Sequence, residues 1–199
     1  TLHLAALMAN SGSVYAFDIS AKRLERLKPR LARAGLDNVR CVAIQNERDV
    51  RVQRLAGKID RVLVDAPCSG TGTLRRNPDI KWRALDMEKL AATQRAILAS
   101  ASTLLKPGGR LVYATCSLLR EENDAVVADF LASHPDFTPL PAAEILARRH
   151  VMLPVDAFLS GPAPASSVAD ENLVPGSLRL FPHRHGTDSF YAVALERRG

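Results

Sequence analysis

At 199 residues, 47% hydrophobic and 24% charged, the chain has the length and balance of one folded soluble domain spanning 1–199, which excludes a disordered or low-complexity polypeptide. The 27 basic residues outnumber the 21 acidic ones, giving a formal net charge of +6 that fits a polyanionic partner and fits plain solubility equally well. Three cysteines with no tight pair argue against a disulfide framework or a zinc knuckle and for a reducing, cytoplasmic compartment, and no apolar run nears the roughly 18 residues of a membrane span.

TLHLAALMANSG reads as a helix already under way, with Leu4, Leu7 and Met8 on one face and Asn10 to Gly12 as its stop. It carries no secretory signal, and a chain that opens inside a helix is expected to have had an upstream segment. SVYAFDIS is a short strand ending in an acid. AKRLERLKPRLARAG is an amphipathic helix with Leu24, Leu27, Leu31 and Ala34 at helical spacing and Gly35 as cap, in which Pro29 predicts a kink or a late start. NVRCVAI is a second strand. IDRVLVDAP is a third, too continuously apolar to have one wet face, so it belongs in a parallel sheet covered on both sides.

CSGTGTLRRNPDIKWRA is polar and glycine-rich and predicts a long surface loop. Helical periodicity resumes near Met87 and runs through Leu90, Ile97, Leu98, Ala101 and Leu105 until KPGG ends it. RLVYATC is the fourth strand, followed by LLREEN and a helix burying Val126, Val127, Phe130 and Leu131. From Pro135 to about Arg179, with PLPAAE and GPAPASS, loops plus at most one short strand are expected, and DSFYAVALERR closes the chain as a strand. Alternating strands and helices argue for a doubly wound α/β domain.

In such folds chemistry lies beyond the carboxyl ends of the strands. Asp18 closes the first strand, where an acid serves either a nucleoside ribose or the start of the next helix. Asp65, Pro67 and Cys68 close the third, followed by hydroxyls and two glycines that let a substrate approach the backbone. Cys116 holds the equivalent place after the fourth, so two thiols converge on one crevice, whereas Cys41 lies within its strand and is structural. Thiols suit a soft nucleophile that must later leave. A redox pair would sit within one motif, and a metal would want more ligands than these, so none is predicted. In the loop, Arg75, Arg76, Lys81 and Arg83 could hold backbone phosphates beside Asn77 and Asp79, while Trp82 either stacks on a base or packs the loop down.

At DAPCSGTGTLRRNPDIKWR and again at YATCSLLREEN the chain resembles the RNA cytosine-C5 methyltransferases of the Sun/Fmu type, in particular the bacterial small-subunit rRNA branch, and the resemblance runs over nearly its whole length. It implies a Rossmann-like methyltransferase sheet, S-adenosylmethionine as methyl donor and structured RNA, 16S rRNA foremost, as partner. It also implies roles: Cys116 as the nucleophile toward C6 of the target cytosine, and Cys68 as the thiol assisting proton removal and release. Asp65 would contact the cytosine and the cofactor edge, Asp18 the cofactor ribose, and Pro67 would shape the turn beside the base.

Three departures carry consequences. The family's first strand and glycine-rich loop are missing from this chain, which predicts a gap between the strands ending at Asp18 and Asp65. The acid that contacts adenine has no single counterpart among Asn46, Glu47 and Asp49. Ser189 in DSFYA stands where the family usually has glycine. The leading expectation is methylation of 16S rRNA; the alternatives are a tRNA methyltransferase, a non-catalytic RNA-binding fragment, and a nucleotide-dependent oxidoreductase that would leave the two thiols without a use.

Overall fold

The computed structural model describes residues 1–158 and 173–199. GPAPASS lies outside the described residues. The chain divides into two compact units, Thr1–Arg54 and Leu55–Gly199.

In the first unit, α1 (Leu2–Leu7) ends where Ala9, Asn10 and Gly12 turn to positive φ. The Asn10 side chain then accepts from the backbone N–H groups of Asp37 and Asn38, 3.1 and 3.2 Å away, and so ties this turn to the approach to the second strand. Strands β1 (Val14–Asp18) and β2 (Val39–Ala43) pair in parallel, and α2 (Ala21–Arg33) makes the crossover between them. Ser20 caps α2 by accepting from Arg23 N, and Leu24 and Leu31 are its buried side chains. The helix starts at Ala21 and runs through Pro29, so the late start expected from that proline does not occur. One proline removes a single backbone bond from a helix whose apolar side is buried before and after it. A one-turn helix, α3 (Val50–Gln53), follows.

The second unit holds a mixed sheet of β3 (Ile59–Asp65), β4 (Leu105–Thr115), β5 (Phe137–Leu140), β6 (Leu178–Leu180) and β7 (Phe190–Arg197). β3 and β4 are parallel, β7 runs antiparallel to β4, and β5 and β6 share the other edge of β7. Helices α4 (Met87–Ser102) and α5 (Asp124–Ser133) pack on each other, and Leu98, Val126, Val127 and Phe130 join Leu111, Tyr113, Val193 and Leu195 of the sheet in one core.

Three expectations are corrected here. β3 does have a parallel neighbour, but among the described residues it pairs with β4 alone, and Leu63 is 52% exposed, so this strand is not covered on both sides. KPGG does not end the helix. α4 stops at Ser102, and Lys106 to Gly109 form an irregularity inside β4, across which the register jumps from Ile59 opposite Leu105 to Arg61 opposite Arg110. Gly108 sits there at φ +72° and a Cβ on Gly109 would lie 2.7 Å from the Lys106 carbonyl, which is why two glycines occupy the bulge. The stretch after Pro135 is more regular than loops with one strand. It contains β5, the helix α6 (Ala142–Ala147) and the start of β6, followed by α7 (Pro182–His185). The strands ending at Asp18 and Asp65 fall in different sheets.

Candidate active site

Parallel pairing brings the carboxyl ends of β3 and β4 side by side, with Asp65 opposite Ala114. Ala66 N–H donates to the Ala114 carbonyl at 3.0 Å, which keeps the two segments together one step beyond the strands. Past that point the chain turns on both sides, and the Sγ atoms of Cys68 and Cys116 lie 3.4 Å apart. That is contact between two free thiols, well outside disulfide bonding distance. Residues 48 positions apart in the chain are thus brought together by the register of one strand pair.

Burial, and next the hydrogen bond with the Cys116 sulfur, push the Cys68 thiol up to about 12. Cys68 therefore keeps its proton at neutral pH, which unfits it for attack and leaves it able to donate S–H to its neighbour. Iodoacetamide alkylation of Cys68, followed by mass spectrometry, is expected to keep rising with pH beyond about 10, where an ordinary thiol of pKa ~8.5 has levelled off. A plateau reached by about pH 10 would contradict this environment.

Both loops are held by a polar network that is closed off from solvent. Thr115 donates to Asn123 Oδ1 at 2.6 Å, and Asn123 Nδ2 returns a bond to the Ser117 carbonyl at 3.0 Å, bracketing Cys116. Gln94 donates to the Pro67 carbonyl at 2.8 Å, and the Glu122 carboxylate accepts from Ser69, Ser117 and Gln94. The Gly72 N–H donates to the Cys116 carbonyl at 2.9 Å, and the Gly72 carbonyl accepts from Ser189 N–H at 3.0 Å. A Cβ on Gly72 would sit 2.6 Å from the Cys116 oxygen and 2.5 Å from Ser189 Cβ. Ser189 is accommodated because Gly72 gives way to it.

The other residues singled out in the sequence fall as follows. Asp65 is exposed at the end of β3, and Pro67 is exposed beside Cys68. Arg75, Arg76, Lys81, Trp82 and Arg83 are all exposed on the loop after Cys68, and Arg76 pairs with Asp188. Trp82 is 80% exposed, with Lys81 Nζ 5.0 Å from its ring centre, so it does not pack the loop down. Ile80 does that: it is buried, and its Cδ1 closes on Gly70.

Asp18 belongs to the first unit. One of its oxygens accepts from Ser20 N–H at 2.7 Å, which holds the residue that caps α2 without Asp18 itself being the cap; the other meets the exposed Arg23 guanidinium at 3.4 Å. An open pocket in that unit is lined by Ala16, Phe17, Asp18, Arg26 and Arg30. A carboxylate with one lightly engaged oxygen at a pocket edge fits the donor set of a ribose diol. Of the three residues offered for adenine, Asp49 is already committed. Arg51 and the Gln45 and Arg51 N–H groups engage both its oxygens and hold its carboxyl well below the ordinary range. Asn46 accepts from Arg48 N–H, and Glu47 lies 3.5 Å from the Arg48 side chain.

Sequence reasoning missed Glu122, Gln94, Ser117 and Asn123. Gln94 did leave a signal, since it shares a helical stripe with Ala91, Leu98 and Ala101, all buried, and a polar residue in such a stripe needs a buried partner. Glu122 left none that separated it from Glu121 beside it.

The family model described as 16S rRNA methyltransferase RsmB/F matches residues 1–196. The probable ribosomal RNA small subunit methyltransferase B of Bacillus subtilis is 34% identical over 205 residues, covering 99% of this chain and 40% of that protein. The ribosomal RNA small subunit methyltransferase F of Escherichia coli O9:H4 is 34% identical over 202 residues, 99% of this chain and 37% of that one. Among solved structures, NSun6 from Pyrococcus horikoshii with SFG superposes with a TM-score of 0.75 at 28% identity, covering 99% of this chain and 44% of that one. The chain thus spans about 40% of the length of the curated relatives it matches. The fold is a Rossmann-like methyltransferase sheet.

Proposed function

Because the chain belongs to the 16S rRNA methyltransferase RsmB/F family, we propose that it transfers a methyl group from S-adenosylmethionine to C5 of a cytosine in 16S rRNA, in the cytoplasm, and that both units act as one catalytic domain. The observation that carries this reading is the pair of free thiols 3.4 Å apart at neighbouring strand ends.

C5 of cytosine is a poor nucleophile until addition at C6 breaks the ring's conjugation. Cys116 supplies that addition as thiolate, forming a C6–S bond and moving electron density onto C5. Bound S-adenosylmethionine supplies the electrophilic methyl group. After C5 has gained the methyl group, its proton leaves to water, the C6–S bond breaks and the ring's double bond returns. Cys68 assists at this last stage, since a neutral thiol in contact with the Cys116 sulfur donates a hydrogen bond to it as negative charge returns there. Asp65 binds the cytosine at the end of β3 and borders the cofactor with Pro67, while Asp18 takes the ribose hydroxyls. Arg75, Arg76, Lys81 and Arg83 neutralise RNA phosphates and Trp82 stacks on a base; all five are exposed. The target base must be single-stranded or flipped out, at a cost of a few kcal/mol if stacked.

The test incubates the chain with methyl-labelled S-adenosylmethionine and either 16S rRNA or tRNA, then digests the RNA to nucleosides. Label is expected in 5-methylcytidine from the 16S arm. Labelled 5-methylcytidine from the tRNA arm alone would move the substrate, and no cofactor binding by calorimetry would reject activity of this chain.

A further inference from the structure

We propose that Glu122 is a positioning residue for the two cysteines: one buried carboxylate grips both cysteine loops and sets the separation of their sulfurs. What the cysteines do rests on the methyltransferase reading above; the grip itself does not.

Each cysteine is followed by a serine, Ser69 after Cys68 and Ser117 after Cys116. The hydroxyls of both serines donate to the same oxygen, Glu122 Oε2, and lie 3.2 Å from each other. Glu122 Oε1 accepts from Ser69 N–H at 2.8 Å and from Gln94 Nε2 at 2.9 Å. The same Gln94 nitrogen reaches the carbonyl of Pro67 at 2.8 Å. Cys68 is therefore fastened through the residue before it and the residue after it, and Cys116 through the residue after it, all to one side chain.

Glu122 and Gln94 are fully buried, and Ser69 and Ser117 nearly so. With no water to replace a lost donor, each bond to the carboxylate is costly to break, and a shift of either loop is transmitted to the other. Glu122 is itself anchored, because Tyr113 Oη in the middle of the core donates to its backbone carbonyl at 2.7 Å. An acid needed only to fill space would serve as well if apolar. An acid whose four donors come from the immediate neighbours of two cysteines, and from the glutamine that braces one of them, fixes geometry.

Glu122→Gln keeps the shape but turns an NH2 group toward part of that donor set. The 199-residue chain and this variant are compared in two reactions read by mass spectrometry: closure of the Cys68–Cys116 disulfide by diamide, which takes up both thiol hydrogens, and single alkylation of Cys116. Closure is expected to slow by about tenfold or more in the variant while alkylation of Cys116 is not slowed, because displacement separates the sulfurs without covering them. In the methyl-transfer assay kcat should fall by about 10–100-fold with the KM for RNA unchanged. Closure within about twofold of the parent overturns the proposal, as does a parent that fails to close the pair at all. If circular dichroism shows that Glu122→Gln does not fold, the Ser69→Ala/Ser117→Ala double variant takes its place, with the same expected and overturning results. If neither parent nor variant methylates RNA, the activity fails while the thiol measurements still decide the role of Glu122.

Discussion

Cys116→Ala is expected to abolish methyl transfer, lowering turnover by at least about 10³-fold, while the protein remains folded and still binds RNA. The size of the loss follows from the chemistry, since without addition at C6 no charge reaches C5, and the sulfur in contact with Cys68 is the one removed. Cys68→Ala should behave differently. The C6–S bond forms and C5 is methylated, but the thiol that stabilises the departing Cys116 sulfur is gone, so a covalent protein–RNA complex accumulates. Denaturing electrophoresis with labelled RNA separates the two outcomes: a retarded, cofactor-dependent band for Cys68→Ala, and none for Cys116→Ala or for the double variant. Normal turnover in Cys116→Ala, or a retarded band that survives its removal, would reverse the assignment of roles.

Gly72→Ala is expected to have the largest effect on stability of any single methyl added near the site. The new carbon would be placed 2.6 Å from the Cys116 carbonyl oxygen and 2.5 Å from Ser189 Cβ, distances that real Cβ atoms do not adopt. One obstacle is backbone and the other the first atom of a side chain, so no flexible tip can swing aside. Either the Cys68 loop or the end of β4 must shift, at a cost of about 1–3 kcal/mol or more. Thermal denaturation should show this as a drop of several degrees, and methyl transfer should fall with it because the shift occurs at Cys116. Pairing the change with Ser189→Gly relieves the nearer of the two contacts and should restore part of the stability; no recovery at all would place the obstruction elsewhere.

Much of this architecture could be read from residue order, and the parts that could not share a cause. Strands ending at Asp18, Asp65 and Thr115 are marked by apolar runs that stop at polar residues, and the helices around Leu24, Leu98 and Val126 by their spacing. Because parallel neighbours put their carboxyl ends together, the convergence of Cys68 and Cys116 followed from topology alone. Contacts that depend on how loops fold back were not legible. Glu122 is indistinguishable from Glu121 until the turn after Cys116 buries one and exposes the other. The bulge at Lys106 to Gly109 resembles an ordinary helix stop, because proline and glycines serve both. β3 looked doubly covered because an apolar run records how much surface a strand asks to bury, not which neighbours are there to bury it.

The division of labour between Ile80 and Trp82 has an optical consequence. Ile80 holds the loop down, so the only indole in the chain stands in water and reports nothing of the hydrophobic interior. Its fluorescence is accordingly blind to much of what happens in the core, and sensitive to whatever comes to lie on the arginine-rich loop that displays it.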